Sequence, residues 1–114
     1  MRRAVHEKSG TVLADDLETP GTIFGRALGL MFRRSLPPGR GLWLLPCSSI
    51  HMMFMNFPID AVFLDTGDRV RKVYRKLPRW YGVAWALGAY SVLELPPGST
   101  AVVDLKRGDQ ILIQ

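Results

Sequence analysis

Asp60-Ala61-Val62-Phe63-Leu64-Asp65 is the stretch of sequence that decides the fold. Alternate residues of an extended strand point to opposite faces, and here both faces carry apolar side chains, so the strand is expected to be buried on both sides. The turn sequence Thr66-Gly67-Asp68 follows, and it predicts a hairpin between this strand and the basic segment 69–76. In that basic segment the apolar residues do not alternate regularly, which indicates a bulge or an exposed edge.

The remainder of the chain is divided into short segments by 11 glycines and 8 prolines, a composition that favours a turn-rich β or α+β domain. The acidic pair Asp15-Asp16 is expected to form a turn at the end of the first strand. A loop or a short helical turn is expected over 99–106. The other strands are predicted at residues 11–14, 41–45, 90–95 and 110–113.

One amphipathic helix is predicted over residues 20–33. Thr19 and Pro20 provide an N-cap and a proline at the first helical position, and apolar residues follow at helical spacing. The predicted fold class is therefore mainly β, or α+β: a small curved sheet or barrel of five to seven short strands with this helix near the amino terminus. The strand order cannot be read from the sequence.

The length of 114 residues and the hydrophobic content of 47% predict a single domain over residues 1–114. A net charge of +5 is compatible with a polyanionic partner. The amino terminus has two arginines without an apolar stretch behind them, so no secretory signal is expected unless one was removed. No segment has the ~20 apolar residues of a membrane helix. A cytoplasmic location and no membrane partner are predicted, and the sequence leaves the oligomeric state open.

Residues 46–65 combine ionisable and sulfur-bearing side chains with apolar ones, and this mixture marks a candidate site. His51, Met55, Asp60 and Glu94 are the predicted ligand-binding residues, because an apolar wall with a few polar groups is the ordinary form of a small-molecule pocket. The leading hypothesis is thus a domain that binds a small ligand around His51 and Asp60. A structural alternative for Asp60 is a carboxylate that caps a turn by accepting backbone amide hydrogen bonds.

Cys47 and His51 could form a nucleophile and base, or half of a metal site. A structural zinc site needs four ligands, whereas the chain has one cysteine and only His6 as a second histidine, so no metal and no cofactor are predicted. The simpler interpretation of Cys47 is a small buried hydrophobe. A hydrolase with His51 as general base, assisted by Asp60 or Cys47, remains an alternative function.

A second alternative is a nucleic-acid-binding module that uses the basic segment 69–79. Its predicted contacts are Arg69, Arg71, Lys72, Arg75 and Lys76, and three aromatic residues lie among or beside them, Tyr74, Trp80 and Tyr81. Cations along a groove can follow a phosphate backbone while aromatic rings stack on bases. The simpler interpretation is a solvated edge strand whose charges prevent pairing with another sheet.

Several sequence blocks, in this order, resemble the signature of the family called domain of unknown function 192: Gly29-Leu30-Met31-Phe32-Arg33, Leu36-Pro37, Gly41-Leu42, His51, Met55, Phe57-Pro58-Ile59-Asp60, Phe63-Leu64-Asp65, Val92-Leu93-Glu94-Leu95-Pro96, Gly98, Leu105 and Gly108-Asp109. The resemblance covers about residues 11–114. It implies a small β-rich domain whose helix carries the Gly-Leu-Met-Phe-Arg block, and a family without an established activity. One departure is Met52, where relatives often carry a small hydroxyl residue after the histidine.

Overall fold

The computed structural model of the chain describes residues 2–19, 36–51, 57–78 and 82–114. The helix predicted over 20–33 lies outside these residues. The described residues form short β-strands joined by turns, and the strands in chain order are β1 (Arg2–His6), β2 (Val12–Glu18), β3 (Arg40–Leu44), β4 (Ser49–His51), β5 (Ile59–Leu64), β6 (Val70–Leu77), β7 (Val83–Trp85), β8 (Ser91–Leu95) and β9 (Ile111–Ile113).

Seven of these strands form one curled sheet in the order β6-β5-β8-β3-β2-β1-β9, and β4 pairs with β7 in a second, two-stranded sheet. Neighbours in the large sheet are antiparallel except β2 and β3, which are parallel. The two ends of the large sheet approach each other, because Arg69 bridges Gln110 and Val70 N donates to Asp109 O at 2.8 Å. The result is a half-barrel, which confirms the predicted mainly β class with a curved sheet.

Both faces of β5 are buried, as the apolar pattern of this strand predicted. Its six residues are all buried, and alternate side chains belong to two separate apolar clusters. The first cluster packs between the large sheet and the β4–β7 pair, and its members on β5 are Ile59, Ala61 and Phe63. The second cluster fills the concave interior against β1, β2 and β9, and it includes Val62 and Leu64. Burial on both sides makes β5 the centre of the domain.

The predicted hairpin is confirmed, since β5 and β6 are antiparallel neighbours. The register shifts twice along this pair, once between Ile59 and Ala61 and once between Phe63 and Leu64, and these shifts are the bulges that the irregular pattern of β6 predicted. β6 lies at one end of the strand order. Among the described residues, the basic segment is thus an edge strand beyond Val70, whereas Arg69 and Val70 pair with the turn before β9.

The turn predicted at Asp15-Asp16 is wrong, because β2 continues through both residues to Glu18. The amide groups of Asp15 and Asp16 donate to Gly39 O at 2.8 and 3.1 Å, and the following residues pair in parallel with β3. Three strands were not predicted at all, namely β1, β4 and β7. Each of these strands is short. It is extended because a partner strand supplies its backbone hydrogen bonds, not because polar and apolar residues alternate along it.

We expect Gly41→Ala to lower the free energy of unfolding by about 2 kcal/mol, because the core around β3 has no room for a methyl group. A Cβ atom there would lie 3.0 Å from Leu95 Cδ2, 3.1 Å from Glu94 O and 3.3 Å from Ala14 Cβ. Gly82→Ala is the matched control, since a Cβ at Gly82 meets no atom within 4 Å. Urea denaturation of both variants checks the prediction, and equal stabilities would contradict it.

Candidate functional site

Asp60 is completely buried and acts as a structural clamp. Its Oδ1 accepts hydrogen bonds from Lys76 N at 2.8 Å and Gly98 N at 3.0 Å. Its Oδ2 accepts from the amide and the hydroxyl of Thr100 at 2.9 and 2.7 Å. Two donors on each oxygen use the acceptor capacity of the carboxylate. The structural alternative for this residue is therefore confirmed, because the carboxylate fastens the end of β6 and the 98–100 turn to β5.

Asp60 and Glu94 lie on neighbouring strands, and their side chains point to opposite faces of the large sheet. In the register of β5 and β8, Asp60 pairs with Leu95 and Ala61 pairs with Glu94. Adjacent residues of a strand point to opposite faces, so Asp60 lies on the face of the second cluster and Glu94 on the face of the first. Glu94 is buried there, with only 7% of its surface exposed.

The other two predicted ligand-binding residues have no described side chains. His51 ends β4, and its backbone pairs with Val83 of β7. Met55 lies outside the described residues. The ligand-binding roles of His51 and Met55 therefore stay predictions.

Cys47 precedes β4 and lines a cleft of about 380 Å³ together with Ser48, Ser49 and Tyr90. Its Sγ donates to Ser49 O at 3.0 Å, and the side chain packs against the first apolar cluster. Cys47 is only partly buried, so the interpretation of this residue as a small buried hydrophobe is met in its apolar packing but not in full burial.

The arginines of the basic segment fasten the β6 edge to neighbouring loops. Arg69 Nη1 donates to Gly108 O at 3.3 Å, Arg71 Nε to Leu87 O at 3.2 Å, and Arg75 Nη2 to Leu105 O at 2.6 Å. A guanidinium group has five N–H donors, so each arginine keeps donors for a further acceptor. These arginines therefore combine a structural role with a positive surface.

A cleft of about 280 Å³, which we call the basic–aromatic cleft, lies between β6, β7 and the turn before β9. It is lined by Arg71, Lys72, Trp85, Ala86, Leu87 and Arg107. Among these lining residues three carry a positive charge and none carries a carboxylate. The summed positive potential makes the cleft suited to an anionic group.

The aromatic side of this cleft is held in place by Tyr74. Its hydroxyl donates to Trp85 O at 2.8 Å and accepts from Trp85 N at 3.3 Å, so β7 is held against β6. Lys72 Nζ lies 4.7 Å from the centre of the Tyr74 ring and 6.0 Å from that of Trp85. The Trp85 side chain is 58% exposed although its backbone is fixed. Cation–π attraction therefore places the ammonium group beside an accessible ring.

Four of the six residues that line the basic–aromatic cleft were not predicted from the sequence, and two of them, Trp85 and Arg107, carry its aromatic and charged character. A signal for Trp85 exists, because the run from Val83 to Leu87 alternates large residues with the alanines at 84 and 86, which are buried. No local sequence pattern points to Arg107, because this residue is far from β6 in the sequence and lies next to it only in the folded chain. Of the predicted nucleic-acid contacts, Arg71 and Lys72 line the cleft, whereas Arg69, Arg75 and Lys76 do not. Residues 79–81 lie outside the described residues.

Two features are absent from the described residues, a helix that could cross a membrane and a group of metal-binding side chains. None of the elements that the structure describes is a helix with the length and apolar character needed to cross a bilayer. Within the same residues, histidine, cysteine, aspartate and glutamate side chains do not form a group of three or more that could hold a metal ion.

Comparison with protein families yields a match over residues 4–113 to the model of domain of unknown function 192, described as Uncharacterized ACR, COG1430. Three archaeal proteins named UPF0127 are each 30% identical in alignments of 112 residues that cover 94% of this chain. They come from Thermococcus sibiricus, Thermococcus gammatolerans and Pyrococcus horikoshii, and the aligned region covers 71%, 72% and 95% of their respective lengths.

Two crystal structures have a similar fold. A protein of unknown function from Novosphingobium aromaticivorans superposes with a TM-score of 0.82 and 27% identity, covering 97% of this chain and 82% of that one. A proposed transcription regulator from Sinorhizobium meliloti superposes with a TM-score of 0.81 and 22% identity, covering 98% of this chain and 91% of that one. At this level of identity the second match concerns the fold alone.

Proposed function

Because the chain belongs to the domain of unknown function 192 family, which is described only as uncharacterised, we propose a function from the geometry of the basic–aromatic cleft: the domain binds single-stranded nucleic acid. Phosphate groups contact Arg71, Lys72 and Arg107, and an unpaired base stacks on Trp85. The observation that carries the proposal is that three cations and one exposed tryptophan surround a single cleft without an acidic lining residue.

The cations of the cleft supply the electrostatic part of binding. Phosphate contacts by lysine and arginine release counterions from the nucleic acid, which favours binding at low salt. Arg71 is positioned for this role, because its guanidinium donates to Leu87 O and occupies the space beside Gly88, where an added Cβ would lie 3.0 Å from Nη2. An ordered cation loses less conformational entropy on binding than a mobile one.

The aromatic and apolar side chains of β7 supply the contact with bases. Trp85 is accompanied by Val83 and by Leu87 in the turn after β7, which are 60% and 80% exposed, so residues 83–87 form a short apolar platform. Stacking of a base on an aromatic ring contributes about 1–3 kcal/mol and depends little on the base. A duplex hides the faces of its bases, so this platform favours a single strand.

Further cations extend the positive surface along the edge of the sheet. Arg75 and Lys76 follow Lys72 on β6, and both are exposed. A strand edge with lysine and arginine is protected from pairing with another sheet and can also follow a phosphate backbone. The small-ligand pocket around His51 and Asp60 has less support, because the Asp60 carboxylate is occupied by protein donors and Glu94 lies on the opposite face of the sheet.

We expect Arg107→Gln and Trp85→Ala each to weaken binding of a fluorescein-labelled oligouridylate roughly 10-fold, through loss of a phosphate contact and of a stacking surface respectively. Three phosphate contacts also predict a roughly 20-fold loss of affinity when the salt concentration rises about fourfold. Fluorescence anisotropy measures both effects.

Lys106→Gln is the matched control for Arg107→Gln. It removes the same charge at the neighbouring position, but Lys106 does not line the basic–aromatic cleft and its Nζ pairs with Asp104 at 3.2 Å. Binding should therefore change less than with Arg107→Gln. Equal losses for both variants would show a non-specific charge effect, and binding that is absent or independent of salt would refute the proposal.

A further inference from the structure

A second group of side chains lies away from the basic–aromatic cleft, and we propose that it is a nucleophilic site that hydrolyses small carboxylic esters. His6 Nδ1 is 2.8 Å from Ser9 Oγ, and His6 Nε2 is 2.9 Å from Asp109 Oδ2. A hydroxyl, an imidazole and a carboxylate joined in this order are the arrangement of a serine nucleophile, its general base and the group that orients the base.

The fold brings these three residues together from opposite ends of the chain. His6 ends β1, Ser9 lies in the turn that leads to β2, and Asp109 precedes β9, whose Ile111 pairs with His6. His6 is only 2% exposed, whereas Ser9 is at the surface. The imidazole is therefore shielded from water and held from both sides, while the hydroxyl that would attack a substrate is accessible.

The hydrogen bonds require an ionised Asp109 and a neutral His6, which are the protonation states that a serine nucleophile needs. Partial burial raises the pKa of Asp109, but the backbone amide of Lys106, the hydrogen bond from His6 and the positive charge of Lys8 lower it below its ordinary value, so the carboxylate is ionised at neutral pH. An ionised Asp109 selects the neutral tautomer in which Nε2–H donates to it. Nδ1 is then the acceptor of the Ser9 hydroxyl proton.

A cleft of about 310 Å³ beside Ser9 provides the space for a small substrate. The cleft is lined by the three residues of the network and by Lys8, Val103, Asp104 and Lys106. The ammonium group of Lys8 would stabilise the negative oxygen of a tetrahedral intermediate, whereas that of Lys106 is paired with Asp104 at 3.2 Å. The aliphatic Val103 side chain supplies an apolar wall for the acyl group.

The reaction consumes one water molecule and no other co-reactant. Ser9 Oγ bonds to the acyl carbon of the ester as its proton moves to His6 Nδ1, and the C–O bond to the alcohol then breaks while the alcohol takes that proton. Water attacks the acyl-serine, gives a proton to His6, and releases the carboxylic acid as the proton returns to Ser9 Oγ. Asp109 stays ionised throughout and stabilises the imidazolium.

The test labels the intact, folded chain with a fluorophosphonate probe, which reacts covalently with activated serines. The labelled residue is then located by proteolytic digestion and peptide mass spectrometry. We expect the label on Ser9, and we expect Asp109→Asn to slow labelling roughly 100-fold, because its amide no longer selects the required tautomer.

Ser48→Ala is the control, because Ser48 is an exposed serine outside the network, and this variant should label at the wild-type rate. Circular dichroism verifies that each variant is folded. The location of the label in the wild-type chain does not depend on any variant. Absence of label from Ser9, or a folded Asp109→Asn variant that labels as fast as the wild type, would show that the network only joins the β1–β2 turn to β9.

Discussion

Asp60→Ala is expected to lower the free energy of unfolding by about 4 kcal/mol, because it leaves three buried or partly buried backbone amides and one hydroxyl without their acceptor. The four hydrogen bonds that are lost join three parts of the chain, the start of β5, the end of β6 and the 98–100 turn. Chemical denaturation in urea measures the loss, provided that unfolding remains two-state.

Asp65→Ala is the matched control for this variant. Asp65 also accepts two backbone hydrogen bonds, from Gly67 N at 2.9 Å and Arg69 N at 3.0 Å, but it does so in an exposed turn. Water can replace the carboxylate there, so a loss of only about 1 kcal/mol is expected. If the Asp60 and Asp65 variants were equally stable, the clamp at Asp60 would not be an important source of stability.

Phe63→Ala is the second variant with a large expected effect, a loss of about 4 kcal/mol. The Phe63 ring is completely buried in the first apolar cluster, and it meets the Tyr74 ring edge-on at 5.8 Å between ring centres. Removing the ring opens a cavity at the centre of the β5–β6 hairpin. Thermal and urea unfolding measure the loss.

Two control variants test whether the loss of stability in Phe63→Ala comes from the cavity. Phe63→Leu keeps most of the volume and should cost about 1 kcal/mol. Val102→Ala removes methyl groups from a side chain that is 79% exposed, and its stability should stay within about 0.5 kcal/mol of the wild type. A Phe63→Ala variant as stable as Val102→Ala would contradict the tight packing of this cluster.

The same hairpin connects the stability of the domain with its proposed binding surface. Tyr74 packs against Phe63 with its ring and holds the backbone of Trp85 with its hydroxyl. Lys72, two residues before Tyr74, lies beside the rings of Tyr74 and Trp85. The basic–aromatic cleft is therefore supported by the core of β5, although its lining residues come from β6, β7 and the turn before β9.

Much of the large sheet could be predicted from short-range patterns. The apolar run of β5, the glycine turn after it and the irregular basic strand predicted a buried strand, a hairpin and a bulged edge, and all three are present. Strands near 41–45, 90–95 and 110–113 were also found at or close to the predicted residues. Side-chain alternation and turn chemistry are local properties, so they are visible without knowledge of the partners.

The strands that the sequence did not reveal depend on their partners. β1 is rich in charge, and β4 and β7 have three residues each, which is too short for a periodic signal. The parallel pairing of β2 with β3 likewise converted an expected acidic turn into strand. Backbone hydrogen bonds from a neighbouring strand outweighed the weak local preference of these residues.

For the candidate sites, the sequence by itself determined which residue types are available: a basic β6, a carboxylate at Asp60 beside a turn, and a single cysteine. The tertiary structure decided which of them meet. It placed Asp60 and Glu94 on opposite faces, brought Arg107 and Trp85 to the cations of β6, and joined His6 and Ser9 to Asp109. The physical reason is that the direction of a side chain follows from local strand geometry, whereas its neighbours follow from the order and register of strands, which depend on contacts between residues far apart in the chain.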